Sequence, residues 1–181
     1  MTPNILVLTS GYGSTLANLC EHGFAIPMVI SQNAKTQWIC EQRNIPLLVS
    51  KNDDLIFPIA RAVKADLIIL AGWTRLIQEI PFDYKVRVLN IHPSLLPKYG
   101  GKGMYGQKVH EAVWAAKEQE SGCTVHLVDE QYDHGTIIEQ RKIAMPDLHF
   151  CDDPVRSIEG RVKELERDVY PDAIKKYWKN L

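Results

Sequence analysis

An unbroken apolar run at residues 66–71 constrains the fold of this chain more than any other stretch. After Asp66 it reads Leu-Ile-Ile-Leu-Ala, with no polar residues between the apolar ones. A strand with one solvated face alternates in polarity, whereas an unbroken apolar strand is typical of a parallel sheet covered on both faces. The run therefore predicts a buried strand of a parallel sheet, with helices packed above and below it.

Strand and helix patterns alternate through the first half of the chain. Helical segments are predicted to begin near Ser14 and to cover 35–43 and 53–64, and they separate strands at 4–9, 26–30, 46–49, 66–71 and 86–91. This alternation predicts a doubly wound sheet, whose ligand sites lie beyond the carboxyl ends of the strands. Gly13, Gly72 and Asn90 all fall at such predicted ends.

The second half predicts a helix at 107–119, a hairpin of strands at 122–128 and 136–143, and a long helix that starts at Pro154. Pro171 is expected to end or kink that helix. The predicted fold is α/β and Rossmann-like with three layers. It has a mostly parallel central sheet with an antiparallel C-terminal part, and helices on both faces. We expect a single domain over residues 1–181.

Composition narrows the classes of partner. The 181 residues are 45% hydrophobic and carry a formal net charge of −1, which gives no general attraction to nucleic acid or acidic membranes. The four cysteines have no metal-binding spacing, which favours reduced thiols in a cytosolic protein. No charged-then-apolar leader and no long apolar run are present, so neither export nor membrane spanning is predicted. We expect a cytoplasmic monomer or homodimer with small-molecule partners.

The strand predicted at 86–91 leads into two side chains suited to acyl transfer. Asn90 and His92 lie two residues apart, so an extended chain points both to the same side. A neutral imidazole can take up a proton near pH 7, and a carboxamide can donate N–H groups to a developing oxyanion. The alternative is a satisfied histidine next to a turn asparagine. Clustered carboxylates at 129–133 supply a third group and favour the catalytic interpretation.

Those carboxylates themselves allow three interpretations. The side chains of His126, Asp129, Asp133 and His134 carry donor atoms for a metal cluster, although no spacing here meets a zinc rule. Acidic turn residues are more often simply solvated. Ligand binding by the hairpin loop is the third interpretation. Glu166, beside the apolar stripe of the last helix, is by pattern alone a solvated helix charge.

A glycine-rich turn joins the first predicted strand to the first helix, with the sequence Ser-Gly-Tyr-Gly-Ser-Thr-Leu at residues 10–16. A strand, a glycine-rich turn and a helix together form a geometry in which backbone N–H groups and the helix dipole hold a phosphate. Leu16 stands where a dinucleotide fingerprint needs its last glycine, and no Gly-Lys-Ser/Thr follows, so neither a dinucleotide site nor a P-loop is predicted. A simple tight turn is the alternative.

Two motifs of this chain, Asn90-Ile-His92-Pro93-Ser94-Leu-Leu-Pro97 and Asp129-Glu130-x-x-Asp133-x-Gly135, resemble those of the folate-dependent formyltransferases. The resemblance implies transfer of the formyl group of 10-formyltetrahydrofolate to the amine of glycinamide ribonucleotide, a step of purine synthesis. It implies three catalytic residues, and the matching enzymes use no metal. These residues are Asn90, His92 and Asp133.

The resemblance also implies two sets of binding residues. The acceptor and its phosphate are expected to meet Gly11, Gly13, Ser14, Thr15, Gly72, Ile91, Pro93 and Glu166. The folate is expected to meet Trp73, Thr74, Arg75, Leu76, Ile77, Val128, Asp129 and Glu130. Two positions depart from the family pattern, since Thr15 replaces a usual asparagine and Thr74 a common methionine. The first hundred residues are also shorter than is usual in the family.

Alternatives to this function keep part of the same site. An amino-sugar nucleotide or methionyl-tRNA could be the amine acceptor, although such enzymes typically carry further C-terminal domains. A folate-binding protein without turnover is the alternative from another class. The glycine-rich segment 98–106, which has no apolar period, is expected to be either a connector or a lid beside the catalytic strand.

Overall fold

The computed structural model describes residues 2–77, 80–81, 87–145 and 151–181. Within these residues the strands form one seven-stranded sheet in the order β3-β2-β1-β4-β5-β6-β7. The strands are β1 (Asn4–Thr9), β2 (Ala25–Ser31), β3 (Leu47–Val49), β4 (Leu67–Ala71), β5 (Arg87–His92), β6 (Glu120–Leu127) and β7 (Ile137–Ala144). The helices are α1 (Ser14–Glu21), α2 (Gln37–Arg43), α3 (Ile56–Ala62), α4 (Gln107–Ala115) and α5 (Pro154–Lys179).

Compact packing divides the chain into two units, and the first comprises Met1–Asn90 with Lys175–Leu181. In this unit β1 pairs in parallel with β2 and β4, and β4 pairs in parallel with β5. The strand order reverses between β3 and β4. Parallel strands are joined by right-handed crossovers as a rule, so α1 and α2 are expected on one face of these strands and α3 on the other. The predicted doubly wound arrangement is confirmed.

The core of this first unit follows the apolar runs. All five residues of β4 are buried, and so are the last five of β1. Thr9 pairs with Ala71, and Leu70 pairs with Asn90, so the carboxyl ends of β1, β4 and β5 lie side by side. The turns that follow these strands therefore share one edge of the sheet, as expected for a ligand site in this fold class.

The second unit, Ile91–Ile174, contains the antiparallel pair β6 and β7. Their register runs from Glu120 opposite Ala144 to His126 opposite Ile137, with a shift between Val125 and His126. At the end of the hairpin a Cβ on Gly135 would lie 1.9 Å from the carbonyl oxygen of Leu127, so only glycine fits there. The predicted antiparallel C-terminal part is confirmed, and so is the predicted fold class.

Several boundaries differ from the prediction, among them those of β6, α4 and α5. β6 begins at Glu120, two residues before the predicted start. α4 ends at Ala115 and not at residue 119, because Lys117 adopts a left-handed φ of 54° that a helix cannot continue through. Pro171 was expected to end or kink the last helix, and it does not end it. α5 continues to Lys179, because the burial of Tyr170, Ala173 and Ile174 offsets a hydrogen-bond loss that costs about 3 kcal/mol.

No helix in the described part of the chain is long and apolar enough to cross a membrane. The strand predicted at 86–91 is described from Arg87 onward, and residue 86 lies outside the described residues. The single-domain organisation stays a prediction.

Candidate active site

The end of β5 carries the two side chains predicted for acyl transfer. The strand ends at His92, where Pro93 and the following turns stop it. Asn90 is half-buried, whereas His92 is only 3% exposed. Strand alternation sends both side chains to the same side of the sheet.

His92 has a polar partner at each ring nitrogen. Its Nε2 lies 2.8 Å from the carbonyl oxygen of Tyr99, and its Nδ1 lies 3.4 Å from Oδ2 of Asp133. A carbonyl oxygen only accepts hydrogen bonds, so Nε2 carries the proton of the neutral ring. Burial lowers the pKa of His92 below its ordinary value, and the Asp133 carboxylate opposes that shift only in part. The ring is therefore neutral near pH 7, which is the state a proton acceptor requires.

Asp133 is held by the backbone and by histidines. Its Oδ2 accepts a hydrogen bond from the N–H of Gly101 at 2.9 Å, and its Oδ1 lies 3.5 Å from Nε2 of His126. Burial alone would raise the pKa of Asp133, but the hydrogen bond with His126, the nearby His92 ring and the Gly101 N–H bring it below the ordinary value. The structure thus brings together the predicted pair His92 and Asp133, with the carboxylate ionised.

The segment after His92 makes backbone contacts with both His92 and Asp133. Besides the Tyr99 and Gly101 backbone contacts, the Tyr99 hydroxyl donates to Glu118 Oε1 at 2.8 Å. A Cβ on Gly100 would lie 3.2 Å from the Cβ of Asp133, so the close approach of the two segments depends on this glycine. The sequence suggested a connector or a lid here, and did not predict that backbone atoms of this segment would contact His92 and Asp133.

The other acids of the hairpin loop are more exposed. Asp129 pairs with His134 at 3.0 Å and caps the N–H of Gln131 at 2.9 Å, while Val128 is half-buried and Glu130 is exposed. These local bonds fit the ordinary chemistry of an acidic turn. Within the described ranges no group of three or more His, Cys, Asp or Glu side chains could hold a metal ion. The predicted folate contacts of this loop stay predictions.

The glycine-rich turn of the first unit has the features of an anion site. Gly13 adopts a φ of 88° immediately before α1, and a Cβ there would lie 2.7 Å from Cδ1 of Ile39. No side chain caps the start of α1, and its first turn holds no acidic residue. Ser14 is exposed and Thr15 half-buried. The first N–H groups of this helix thus lack a side-chain acceptor, and the dipole favours an anion.

The predicted folate residues in the turn after β4 differ in exposure, since some are buried and others are exposed. Gly72 has a φ of 76°, and Trp73 and Ile77 are buried, at 7% and 1% exposure. Arg75 instead binds Asp53 at 3.0 Å and the carbonyl oxygen of Lys51 at 2.6 Å, so its guanidinium is engaged in the surface of its own unit. Thr74 is exposed and Leu76 half-buried.

Glu166 is not the solvated helix charge that its pattern suggests. Burial raises its pKa to about 7, and Lys163 offsets this only in part. The charge of Glu166 in turn adds to the burial that raises the pKa of Cys123 to about 12. A carboxyl group that is half protonated at neutral pH is the kind of perturbed group that is common at functional sites.

We expect Glu166→Gln to stabilise the protein, and to do so more at pH 8 than at pH 5. The folded-state pKa is raised from 4.5 to about 7, so ionisation costs folding free energy as the pH rises through this window. Glutamine never ionises and avoids that cost, which is about 3 kcal/mol at most. Urea unfolding at both pH values measures the difference.

Glu164→Gln is the matched control, because Glu164 is exposed on the same helix. Its effect should be small at both pH values. An equal gain from Glu166→Gln at pH 5 and pH 8 would contradict a pKa near neutrality.

Sequence reasoning missed one contact of this cluster. His126 was considered only as a metal ligand, yet it contacts the carboxylate of Asp133. The register shift beside His126 leaves one extra residue on β7, and no residue pattern marks that shift.

Comparison with known proteins places this geometry in a family. Residues 3–174 match the formyl transferase family. The chain is 34% identical over 189 residues to phosphoribosylglycinamide formyltransferase of Haemophilus influenzae, covering 94% of this chain and 85% of the relative. It is 40% identical over 115 residues to the chloroplastic phosphoribosylglycinamide formyltransferase of Vigna unguiculata, covering 63% of this chain and 36% of that relative.

A solved structure shows the same likeness. The crystal structure of phosphoribosylglycinamide formyltransferase from Anaplasma phagocytophilum superposes with a TM-score of 0.82 at 29% identity, covering 97% of this chain and 86% of that one. The match covers nearly the whole chain. The chain belongs to the formyl transferase family.

Proposed function

We propose that this protein transfers the formyl group of 10-formyltetrahydrofolate to the amine of glycinamide ribonucleotide. The observation that carries the proposal is the contact between the buried, neutral His92 and the ionised Asp133. His92 lies two residues after Asn90 on β5. Family membership supplies the reaction class, and relatives named phosphoribosylglycinamide formyltransferase favour this acceptor.

In the proposed reaction the acceptor amine attacks the formyl carbon and forms a new C–N bond. The carbonyl oxygen becomes an oxyanion, which the Asn90 amide and the His92 ring stabilise by donating hydrogen bonds. The attacking nitrogen then loses a proton, the folate nitrogen gains one, and the bond between that nitrogen and the formyl carbon breaks. His92 helps to move the proton, and Asp133 stabilises the charged ring.

The two substrates are assigned to separate residues. The turn at Gly11, Gly13, Ser14 and Thr15 holds the acceptor phosphate, and Glu166 meets the amine-bearing end. The uncapped start of α1 supports the first assignment, and the raised pKa of Glu166 supports the second. For the folate we retain the two segments 73–77 and 128–130, with Arg75 in a role that requires it to leave Asp53.

An acceptor screen with the purified protein tests the proposal. The formyl donor is held fixed, EDTA is present throughout because we predict no metal requirement, and release of tetrahydrofolate is followed. Glycinamide ribonucleotide should give turnover well above an amino-sugar nucleotide, methionyl-tRNA or no acceptor. Faster transfer to either alternative acceptor would replace the named substrate. Binding of the donor without transfer to any amine would favour a non-catalytic folate-binding protein.

A further inference from the structure

Segment 32–36 lies alongside the glycine-rich turn that follows β1, and four contacts join the two. Ser10 Oγ donates a hydrogen bond to Gln32 Oε1 at 2.9 Å, and Asn33 Nδ2 donates to the carbonyl oxygen of Ser10 at 2.8 Å. Nζ of Lys35 lies 4.9 Å from the centroid of the Tyr12 ring, and a Cβ on Gly13 would lie 3.0 Å from Cγ2 of Thr36. The turn to which we assign the acceptor phosphate therefore has a second wall, which the backbone assignment does not include.

Lys35 brings a positive charge to this turn. Asn33 Oδ1 accepts the backbone N–H of Lys35 at 2.9 Å, which fixes residue 35 beside the turn. Tyr12 stands between the two glycines of the turn, so a charge over its ring lies over the turn. Both side chains are exposed, and Lys35 takes part in no ion pair within the described residues. The first turn of α1 holds no acid that would compete for the ammonium.

Three buried polar atoms around the turn lack a hydrogen-bond partner in the described part of the chain. They are Oγ1 of Thr9, Nε2 of Gln32 and Oγ1 of Thr36. Thr9 ends β1 just before the turn, and Thr36 is fully buried against Gly13. A buried hydroxyl or amide without a partner marks a place where a ligand or an ordered water completes the hydrogen bonds. These atoms point to a polar ligand at the turn, independently of the uncapped start of α1.

We propose that Lys35 is a specificity-determining residue of the acceptor site: its ammonium binds the acceptor phosphate and selects phosphorylated amines over unphosphorylated ones. This inference rests on the proposed function. A phosphate monoester carries a charge of about −2 at neutral pH, which a single ammonium balances in part. Lysine binds phosphate as a point charge on a flexible stem. Nζ can therefore pass from the Tyr12 ring to an anion at the start of α1 without a change in the backbone.

Two acceptors and one substitution measure this selectivity. Glycinamide ribonucleotide and the same compound without its phosphate are compared in the wild type and in Lys35→Met, which keeps an unbranched side chain and removes the charge. The ratio of the two kcat/KM values should fall about 5- to 20-fold in Lys35→Met, because only the phosphorylated acceptor loses a charged hydrogen bond. The change should appear in KM, since the phosphate has the same charge in the ground state and in the transition state. Lys35→Arg should keep most of the selectivity.

Lys179→Met is the matched control, because Lys179 is exposed at the end of α5 and belongs to neither assigned site. Its selectivity should equal that of the wild type. Added salt should raise the KM of glycinamide ribonucleotide less steeply in Lys35→Met than in Lys179→Met, since one screened charge pair is missing. An equal selectivity ratio in the two variants would overturn the proposal and leave Lys35 a solvated surface lysine.

A binding measurement tests the same residue without formyl transfer. Ribose 5-phosphate carries the phosphate without the amine, and a titration followed by NMR should shift the backbone N–H signals of Ser14, Thr15 and Lys35. Its Kd should rise about 5- to 20-fold in Lys35→Met and stay constant in Lys179→Met. Equal affinity in Lys35→Met and the wild type, or no binding at these residues, would overturn the proposal whatever the activity. Absence of formyl transfer by a protein with Lys35-dependent binding would instead contradict the proposed function.

Discussion

Replacement of His92 by alanine is expected to lower kcat by roughly 10²–10⁴-fold and to leave donor affinity within a few-fold. The loss appears in kcat because the ring acts on charge that develops only in the transition state. His92 is 3% exposed, so its removal also leaves a cavity and takes the ring partner away from the Tyr99 carbonyl oxygen. Steady-state kinetics and calorimetric titration of the donor analogue measure the two effects separately.

Asp133→Asn is the companion variant and carries less structural risk. Asp133 has a φ of 54°, and asparagine tolerates that conformation better than most residues. Turnover should again fall by roughly 10²–10⁴-fold, since a neutral amide no longer stabilises a charged His92. Near-wild-type turnover in either variant would remove this pair from the reaction. Asn90→Ala should cost roughly 10²–10³-fold, the usual effect of losing one oxyanion donor.

Ser14→Asp is expected to raise the KM of the acceptor steeply while donor binding hardly changes. Ser14 is exposed at the first position of α1, and the N–H groups there have no side-chain cap. A carboxylate in that turn sets like charge against the acceptor phosphate. The same carboxylate is favourable for the helix itself, because an acid near the N-terminus stabilises it by up to about 1 kcal/mol. The variant should therefore fold normally, and the kinetic effect is not a loss of structure.

Asn44→Asp is the matched control, because it places the same charge at an exposed residue of the same unit, where a φ of 52° suits aspartate as well as asparagine. Its acceptor kinetics should equal those of the wild type. Unchanged kinetics with glycinamide ribonucleotide in Ser14→Asp would remove the phosphate from this turn and reopen the choice of acceptor. A sugar-nucleotide acceptor would be affected little, because its phosphates lie elsewhere relative to the amine.

The elements that were predicted correctly are those whose pattern is local. The apolar run from Leu67 to Ala71 indicates directly that β4 is buried on both faces. Pro93 marks the end of β5, because proline has no backbone N–H to donate to the sheet. The boundaries that were missed depend on tertiary packing. Pro171 is tolerated inside α5 because its neighbours are buried, and that burial is not visible in the residues that flank a proline.

In the site, too, the relations between neighbouring residues were predicted from the sequence, and the contacts between distant residues were not. Asn90 and His92 share a side because strands alternate, and the sequence alone predicts this. The contact between His92 and Asp133 joins residues 41 positions apart, and it was expected only through resemblance to a family. The backbone partners at Tyr99 and Gly101 have no side-chain signature at all, because any residue offers a carbonyl or an N–H.

Both nitrogens of His92 already have partners within the protein, and this has a consequence for the order of events in turnover. A formyl oxygen that takes a hydrogen bond from Nε2 must displace the carbonyl oxygen of Tyr99, which lies 2.8 Å from that nitrogen and accepts its proton. Tyr99 belongs to the glycine-rich segment 98–106, so substrate and segment compete for one donor. The formyl oxygen must therefore replace the Tyr99 carbonyl as the hydrogen-bond acceptor of Nε2. Until a substrate does so, the Nε2 proton remains hydrogen-bonded to Tyr99.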